Sequence, residues 1–335
     1  MWARTVFAPA KINLGLRITG RYANGYHRLE SVFVPVSLYD RLTISRSERD
    51  EVFYDWGKTT TEQKRYLSLG AQGNPLLWKS IAFARTLVEQ AGGAIPCIRV
   101  TVSKNIPSPS GLGGASTDAA ALISTLLRIF SPSPEFRLHG EALRQVSTLG
   151  ADIPYFLFAG LEGKAAMLNG LGYELTPADL PELCGWLCVP DFGFSTQAMF
   201  AEARKIHFPT ISESPQLPNR ILALRLNEIP YSDKLADGVK VVQNDFDPIA
   251  AALFPAKHQA LRKAMRIIAE TAKQFFPGQW LVGMTGSGAG IFAMTENRIV
   301  RRALQERTGM LLTRLGRMWQ VFPVRNHSAA NIIGP

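Results

Sequence analysis

Cysteine is scarce in this 335-residue chain, and the three that occur, Cys97, Cys184 and Cys188, form no C-x-x-C pair. An odd, unpaired set excludes a disulfide framework and fits a reducing compartment. Histidine is as thin: none of the five is spaced i, i+4 as on a zinc-binding helix, so a metal site built from protein side chains alone is not expected. The longest uncharged run, residues 274–295, holds five glycines and a proline and does not read as a membrane span. The opening MWARTVFAPAKINL puts Lys11 where a signal peptide needs unbroken apolar sequence, so a cytoplasmic location is expected. Asn326-His327-Ser328 then reads as a chance sequon.

What remains is globular in kind, 46% apolar and 19% charged, over a length that exceeds one typical core and predicts two domains. The formal charge of +10 favours an anionic partner: nucleic acid, a membrane surface or a phosphorylated metabolite. Charge alone does not choose among them.

Residues 6–18 and 29–44 pattern as strands, joined by the turn signal GRYANGYH. The polar stretch 45–73 reads as a loop or irregular hairpin. Asn74 as N-cap and Pro75 at the first helical position open a helix that ends at Gly92-Gly93. IPCIRVTVSKNIP alternates like a half-buried strand, and helices are predicted over 114–130 and 140–148. Asp152 follows at a capping position before a short apolar segment. Both patterns lapse around 177–181, which divides the chain into domains 1–178 and 179–335. The second half supplies a strand near Trp186, a helix from Thr196, a long amphipathic helix over 256–276 and strands around Leu281 and Ile291. A helix over 298–307 and a strand over 318–324 complete an α+β set.

The most informative loop is NIPSPSGLGGASTDAAALI. Pro107, Ser108, Pro109 and Ser110 lead into Gly111, Leu112, Gly113, Gly114 and Ala115, with Ser116 and Thr117 opening a helix. Glycines let backbone N–H groups approach an anion, and the helix N-terminus adds partial positive charge. It is neither a Walker A loop nor a G-x-G-x-x-G dinucleotide loop. The bland alternative is a strand-to-helix connection that needs glycine only for packing. The hydroxyls of Ser116 and Thr117 can face phosphate or a Mg²⁺ carried on it. A second loop, GMTGSGAGIFAM, offers Gly286, Ser287 and Gly288, and a tight hairpin would need the same glycines. Strand alternation puts Lys11 and Asn13 on one face, where lysine is most often an exposed edge residue. Tyr26 and His27 can simply cover a hairpin corner.

Taken together, these stretches resemble a known family. PAKINLGLRITGRYANGYHRLESVF is similar to the opening signature of the 4-diphosphocytidyl-2-C-methyl-D-erythritol kinases, a branch of the GHMP small-molecule kinases. IPSPSGLGGASTDAAA resembles that superfamily's ATP loop, LGADIPYF its catalytic aspartate motif and MTGSGAGIF its C-terminal glycine loop. The motifs stand in the family's order across residues 8–292. The chain departs from the pattern at Asn24, Pro109, Ala115 and Asp118. Pro109 removes one N–H donor from the loop, and Asp118 brings a negative charge near ATP unless it caps the helix or faces Mg²⁺.

The resemblance implies a two-domain α+β fold, N-terminal ribosomal-protein-S5-domain-2-like and C-terminal ferredoxin-like, with substrate between the domains. It implies transfer of the γ-phosphoryl group of Mg·ATP to the 2-hydroxyl of a cytidine-diphosphate methylerythritol. Lys11 and Asp152 would be catalytic, residues 107–117 would hold ATP, and residues 286–288 would support the site. Asn13, Tyr26, His27, Thr196 and Phe200 would meet the substrate, with His27 reading the cytosine edge and Tyr26 and Phe200 covering its faces. Mg²⁺ would enter with ATP near Ser116. A monomer or weak homodimer is expected, without nucleic-acid or membrane partners. Other readings stay open at this point: a homoserine-kinase-like enzyme, a catalytically silent relative, or a nucleic-acid-binding protein on an S5-like fold. The last is motivated by six arginines against one acidic residue over 298–317.

Overall fold

In a computed structural model of the protein, residues 2–55, 75–132, 138, 140–206, 208–211, 222–225, 228–276, 278–296 and 300–326 are described. The Asn74 cap and most of the polar stretch at 45–73 lie outside them. Two long strands, β1 (Ala3–Tyr22) and β2 (His27–Arg46), pair antiparallel along nearly their whole length. Through its two halves β2 also pairs β4 (Ile98–Ser103) and β5 (Ala165–Gly170). An eight-stranded sheet is completed by β3 (Glu51–Asp55), β6 (Glu174–Asp179), β8 (Thr210–Ile211) and β9 (Leu222–Ala223). β3 lies within the stretch read as a loop or irregular hairpin. Its parallel pairing with β4 is non-local, so local composition carried no sign of it.

The second sheet runs β10 (Tyr231–Ala236), β11 (Val239–Val242), β12 (Trp280–Met284), β13 (Ile291–Thr295), β7 (Cys184–Pro190), β14 (Trp319–Arg325). The chain changes sheets between Asp179 and Cys184, yet β8 and β9 from the second half return to the first sheet. Pro177 is a strand residue in β6, beside the stretch that β9 reaches. Proline is tolerated at such a sheet margin because one side of the strand needs no N–H donor.

Alternation along the strands sets the layers. In β7, Trp186 and Cys188 face one core while Leu187 and Val189 face another, so this strand is buried on both sides. The sheets pack face to face through Ile12, Leu14, Val34, Leu187, Val189 and Phe292. Outside the first sheet lie α1 (Pro75–Gln90), α2 (Gly114–Phe130), α3 (Glu141–Ser147) and α4 (Ile153–Phe158). Outside the second lie α5 (Thr196–Ala203), α6 (Asp247–Leu253), α7 (Pro255–Phe275) and α8 (Val300–Leu315). The last helix continues beyond the predicted end at residue 307. Leu304 and Leu311, two turns apart and both buried, carry it through Gly309, and Gly316 at φ 90° ends it.

One register break matters for function. Ala8 packs toward the helices, but after the irregularity between Pro9 and Ala10, residues Ala10, Ile12 and Leu14 pack between the sheets. Alternation then turns Lys11 and Asn13 to the helix side, where α2 and α4 begin.

Trp186 is fully buried and stacks on Trp280 at 5.6 Å, so Trp186→Ala is expected to cost about 3–5 kcal/mol of unfolding free energy. Urea titration checks this; a loss under about 1 kcal/mol would contradict the packing described.

Candidate active site

Lys11 is not the exposed edge residue that its type suggests. It is 3% exposed, its Nζ lies 4.6 Å from the Phe33 ring centroid, and it donates to Asn13 Oδ1 at 2.8 Å. Asp152 Oδ2 stands 3.5 Å from the same Nζ. Burial lowers the Lys11 pKa, and the charge and hydrogen bond of Asp152 oppose that shift. Asp152 occupies the N-cap position of α4, but its side chain makes no capping hydrogen bond. The cap expected from sequence is therefore absent, and the carboxylate faces the lysine instead.

The phosphate-loop candidate borders this pair. The Lys11 amide donates to Leu112 O at 3.0 Å, tying β1 to the loop. Gly111 and Gly113 both have φ 75°, where glycine is favoured, and Gly113 ends the loop as the N-cap of α2. A Cβ on Gly113 would come within 3.2 Å of Lys11 Cγ and 3.1 Å of Phe156, so only glycine leaves the cradle its shape. The first N–H groups of α2 have no intrahelical acceptor and carry the helix's positive end. Ser116 is half-buried next to the 150–152 turn, its Oγ 3.5 Å from where a Gly150 Cβ would stand. Thr117 is wholly buried with its hydroxyl enclosed, so of the two hydroxyls considered for phosphate only Ser116 is accessible.

The remaining loop residues have structural partners. Ser110 Oγ donates to Pro107 O at 2.6 Å. The Pro109 ring packs on Gly193, where a Cβ would collide with it. Gly290 N donates to Ser110 O at 3.1 Å, and Thr196 and Ser287 share a hydroxyl hydrogen bond of 2.7 Å. The loop at 286–288 thus touches both the phosphate loop and α5.

At the hairpin corner, Asn24 Oδ1 accepts from the Tyr26 amide at 3.1 Å, and Tyr26 is 62% exposed. His27 is buried, stacked on Phe200 at 6.0 Å and edge-on to Phe208 at 5.6 Å. Phe200 packs directly on His27 and does not stand across an open gap from it. Burial lowers the His27 pKa, a backbone hydrogen bond to Ala203 opposes this, and Arg21 and Arg204 add to the lowering. The neutral imidazole keeps a buried Nε2 without a hydrogen-bond partner among the described residues.

Several site-bordering residues escaped the sequence reading. Ser31 accepts from Asn13 Nδ2 at 2.8 Å, Thr285 contacts Asn13, and Asn244 bonds the carbonyls of Met284 and Gly286. The available signal was polar residues inside otherwise apolar strands. Asp118 neither caps α2 nor faces a metal: it is 2% exposed and bonded to Lys104 at 2.6 Å, opposite Asp40, which holds the same ammonium. Burial pushes the Asp118 carboxyl well above the usual carboxylate range, with Lys104 pulling it back and Asp40 pushing it further up. In the arginine-rich segment, Arg314 bonds Thr271 and Glu270, and Arg307 lies over Phe275. Those two arginines are occupied by contacts with α7.

Residues 76–160, which hold the glycine loop and Asp152, match the GHMP kinases N terminal domain. A 4-diphosphocytidyl-2-C-methyl-D-erythritol kinase from Polaromonas naphthalenivorans is 32% identical, over 85% of this chain and 84% of that one. Its counterpart from Chloroherpeton thalassium is 30% identical, over 87% and 89%. A crystal structure of 4-(cytidine 5'-diphospho)-2C-methyl-D-erythritol kinase superposes with a TM-score of 0.62 at 27% identity, covering 97% of this chain and all of that one. The chain belongs to the 4-diphosphocytidyl-2-C-methyl-D-erythritol kinase family.

The raised Asp118 pKa gives the sign of a pH effect. The folded protein holds a proton that the unfolded chain has released, so stability falls as pH rises toward the raised pKa. Asp118→Asn removes that pH dependence, so whatever the variant loses by weakening the Lys104 contact, its stability relative to the parent should rise as pH climbs above the ordinary carboxylate range in denaturant melts. A relative stability that is flat or falling with pH would contradict the buried triad.

Proposed function

We propose that the protein transfers the γ-phosphoryl group of ATP to the 2-hydroxyl of 4-(cytidine 5'-diphospho)-2-C-methyl-D-erythritol, a step toward isoprenoid precursors by the non-mevalonate route. The observation that carries this reading is Lys11 Nζ 3.5 Å from Asp152 Oδ2, buried at the edge of the glycine loop that opens α2. Phosphoryl transfer asks a protein chiefly for positioning and charge stabilisation. Asp152, 28% exposed, is open to accept the substrate hydroxyl proton, and Lys11 supports its ionised form and the developing alkoxide.

Residues 107–117 hold the nucleotide through backbone N–H groups, which need no side chains and so suit the loop's composition. Ser116 and Asp152 would border a Mg²⁺ carried on the nucleotide, which would neutralise phosphate charge. Among the described residues no three His, Cys, Asp or Glu side chains cluster as a metal site. At the corner, exposed Tyr26 can cover a face of cytosine, and neutral His27, whose buried Nε2 has no partner among the described residues, is the candidate reader of its polar edge. Asn13, 1% exposed and bonded to Lys11, Ser31 and Thr285, supports Lys11 from within, and Thr196 and Phe200 on α5 are the further candidates for substrate contact. Domains at 1–178 and 179–335 contribute jointly, since the loop at 286–288 abuts the phosphate loop. Among the described residues no helix is long and apolar enough to cross a membrane. Cys97, Cys184 and Cys188 are free thiols, as the proposed cytoplasmic location would keep them, and the proposed enzyme acts as a monomer or weak homodimer.

The test is ADP release with Mg·ATP and the cytidylyl substrate, run beside homoserine and mevalonate diphosphate. Activity confined to the cytidylyl substrate is expected; activity on homoserine instead would overturn the substrate assignment. Lys11→Ala and Asp152→Asn should each lose at least ~100-fold in turnover while remaining folded. Near-parental turnover in both would remove the catalytic roles. His27→Ala should raise KM for the cytidylyl substrate with KM for ATP little changed, and an unaltered cytidylyl KM would undo the reading of the corner.

A further inference from the structure

Thr285 directly follows β12 and is wholly buried, yet its hydroxyl joins two other elements. It accepts from the Asn13 amide at 3.2 Å and lies 3.1 Å from Asn13 Oδ1 and 3.3 Å from Gly111 O. A hydroxyl has one proton to give, and the shorter contact directs it to Asn13 Oδ1. That oxygen is also the acceptor for Lys11 Nζ at 2.8 Å. The other end of the amide is fixed as well: Asn13 Nδ2 donates to Ser31 Oγ at 2.8 Å, and Ser31 donates to Gly15 O at 2.6 Å. The backbone on both sides of Thr285 is held by Asn244, whose Nδ2 donates to Met284 O and Gly286 O, each at 2.9 Å.

Lysine brings its charge on a flexible four-carbon stem, so its ammonium stands where its acceptors stand. Lys11 has Asn13 at 2.8 Å and Asp152 at 3.5 Å. The Asn13 oxygen keeps its orientation because a second donor, Thr285, arrives from the C-terminal half. That donor also sits within reach of the Gly111 carbonyl of the phosphate loop.

We propose that Thr285 is a positioning residue for phosphoryl transfer: its hydroxyl locks the Asn13 amide, which holds Lys11 Nζ in place between Asn13 and Asp152 at the edge of the phosphate loop. The proposal rests on the kinase reading given above. Valine at this position keeps the volume and removes the hydroxyl, while serine keeps the hydroxyl.

The experiment measures turnover of the full-length parent, Thr285→Val, Thr285→Ser, Lys11→Ala and the Lys11→Ala/Thr285→Val double variant, with Mg·ATP and the cytidylyl substrate. Thr285→Val should lower kcat at least ~10-fold with both KM values within ~2-fold, and Thr285→Ser should restore most of the loss. In the Lys11→Ala background the same change should cost less than ~2-fold, because the group through which Thr285 acts is gone. Equal losses in both backgrounds, or parental kcat in Thr285→Val, would overturn the proposal and leave the kinase reading standing. A parent enzyme inactive on the cytidylyl substrate overturns the kinase reading instead. A readout without substrate then decides the positioning role: the ¹³C shift of the Lys11 ε-carbon followed against pH. Its titration should move in Thr285→Val and return in Thr285→Ser; identical curves in all three overturn the proposal. If Thr285→Val folds poorly, Thr285→Ala takes its place in both measurements, with the same outcomes.

Discussion

The site depends on two glycine loops meeting backbone to backbone. A Cβ on Gly111 would overlap the Thr285 carbonyl, one on Gly286 would stand 3.2 Å from Gly111 Cα, and one on Gly290 would press on Ser110 O. Remove the side chains and the loops close to hydrogen-bonding distance, with Gly290 N on Ser110 O. This contact fixes the phosphate loop against the turn between β12 and β13 while the Lys11 amide fixes it against β1. The individual bonds contribute only about 1 kcal/mol each, so their value is geometric: they place the start of α2, β1 and the turn after β12 around one point.

Two buried lysines show how environment divides roles within one residue type. Lys104 has burial opposed by Asp118 and Asp40, which share its ammonium, and their attraction wins, raising its pKa and keeping it charged. Lys11 has one half-exposed carboxylate and an amide, and burial wins, lowering its pKa. The first is a saturated structural pair beneath the loop; breaking such a pair leaves buried charge uncompensated. The second keeps unspent capacity for an incoming anion. Its position follows from strand alternation after the break at Pro9/Ala10, which sends Lys11 toward the helix starts while its apolar neighbours fill the space between sheets.

Much of this was legible in the sequence because it is local. Pro75 opening α1, the glycine-to-helix step at Gly113 and the alternation of β4 all declare themselves within a few residues. The ordered motifs from Lys11 to Gly288 indicated which loops belong to one site. What stayed hidden is non-local. β3 exists because β4 offers it an edge, and the Asn244 and Thr285 contacts span more than forty and two hundred and seventy residues of chain respectively. Taken by itself Asp152 reads as a cap, because capping is the commonest use of aspartate before a short helix; its pairing with Lys11 on another element came only through the family resemblance. Asp118 read as a charge near the nucleotide because nothing in its own helix names Lys104 as the counterion. Phe208, which packs edge-on against His27, lies beside a segment with no helical or strand period, so no pattern pointed to it.

The central claim is that this cleft delivers phosphate to one particular hydroxyl. The most direct measurement is ³¹P NMR of the product formed from Mg·ATP and the cytidylyl substrate. The account predicts a new phosphomonoester on the tertiary 2-hydroxyl, with the cytidine diphosphate linkage intact and one ADP formed per product. A phosphomonoester at a different hydroxyl, or inorganic phosphate as the only new signal, would contradict it.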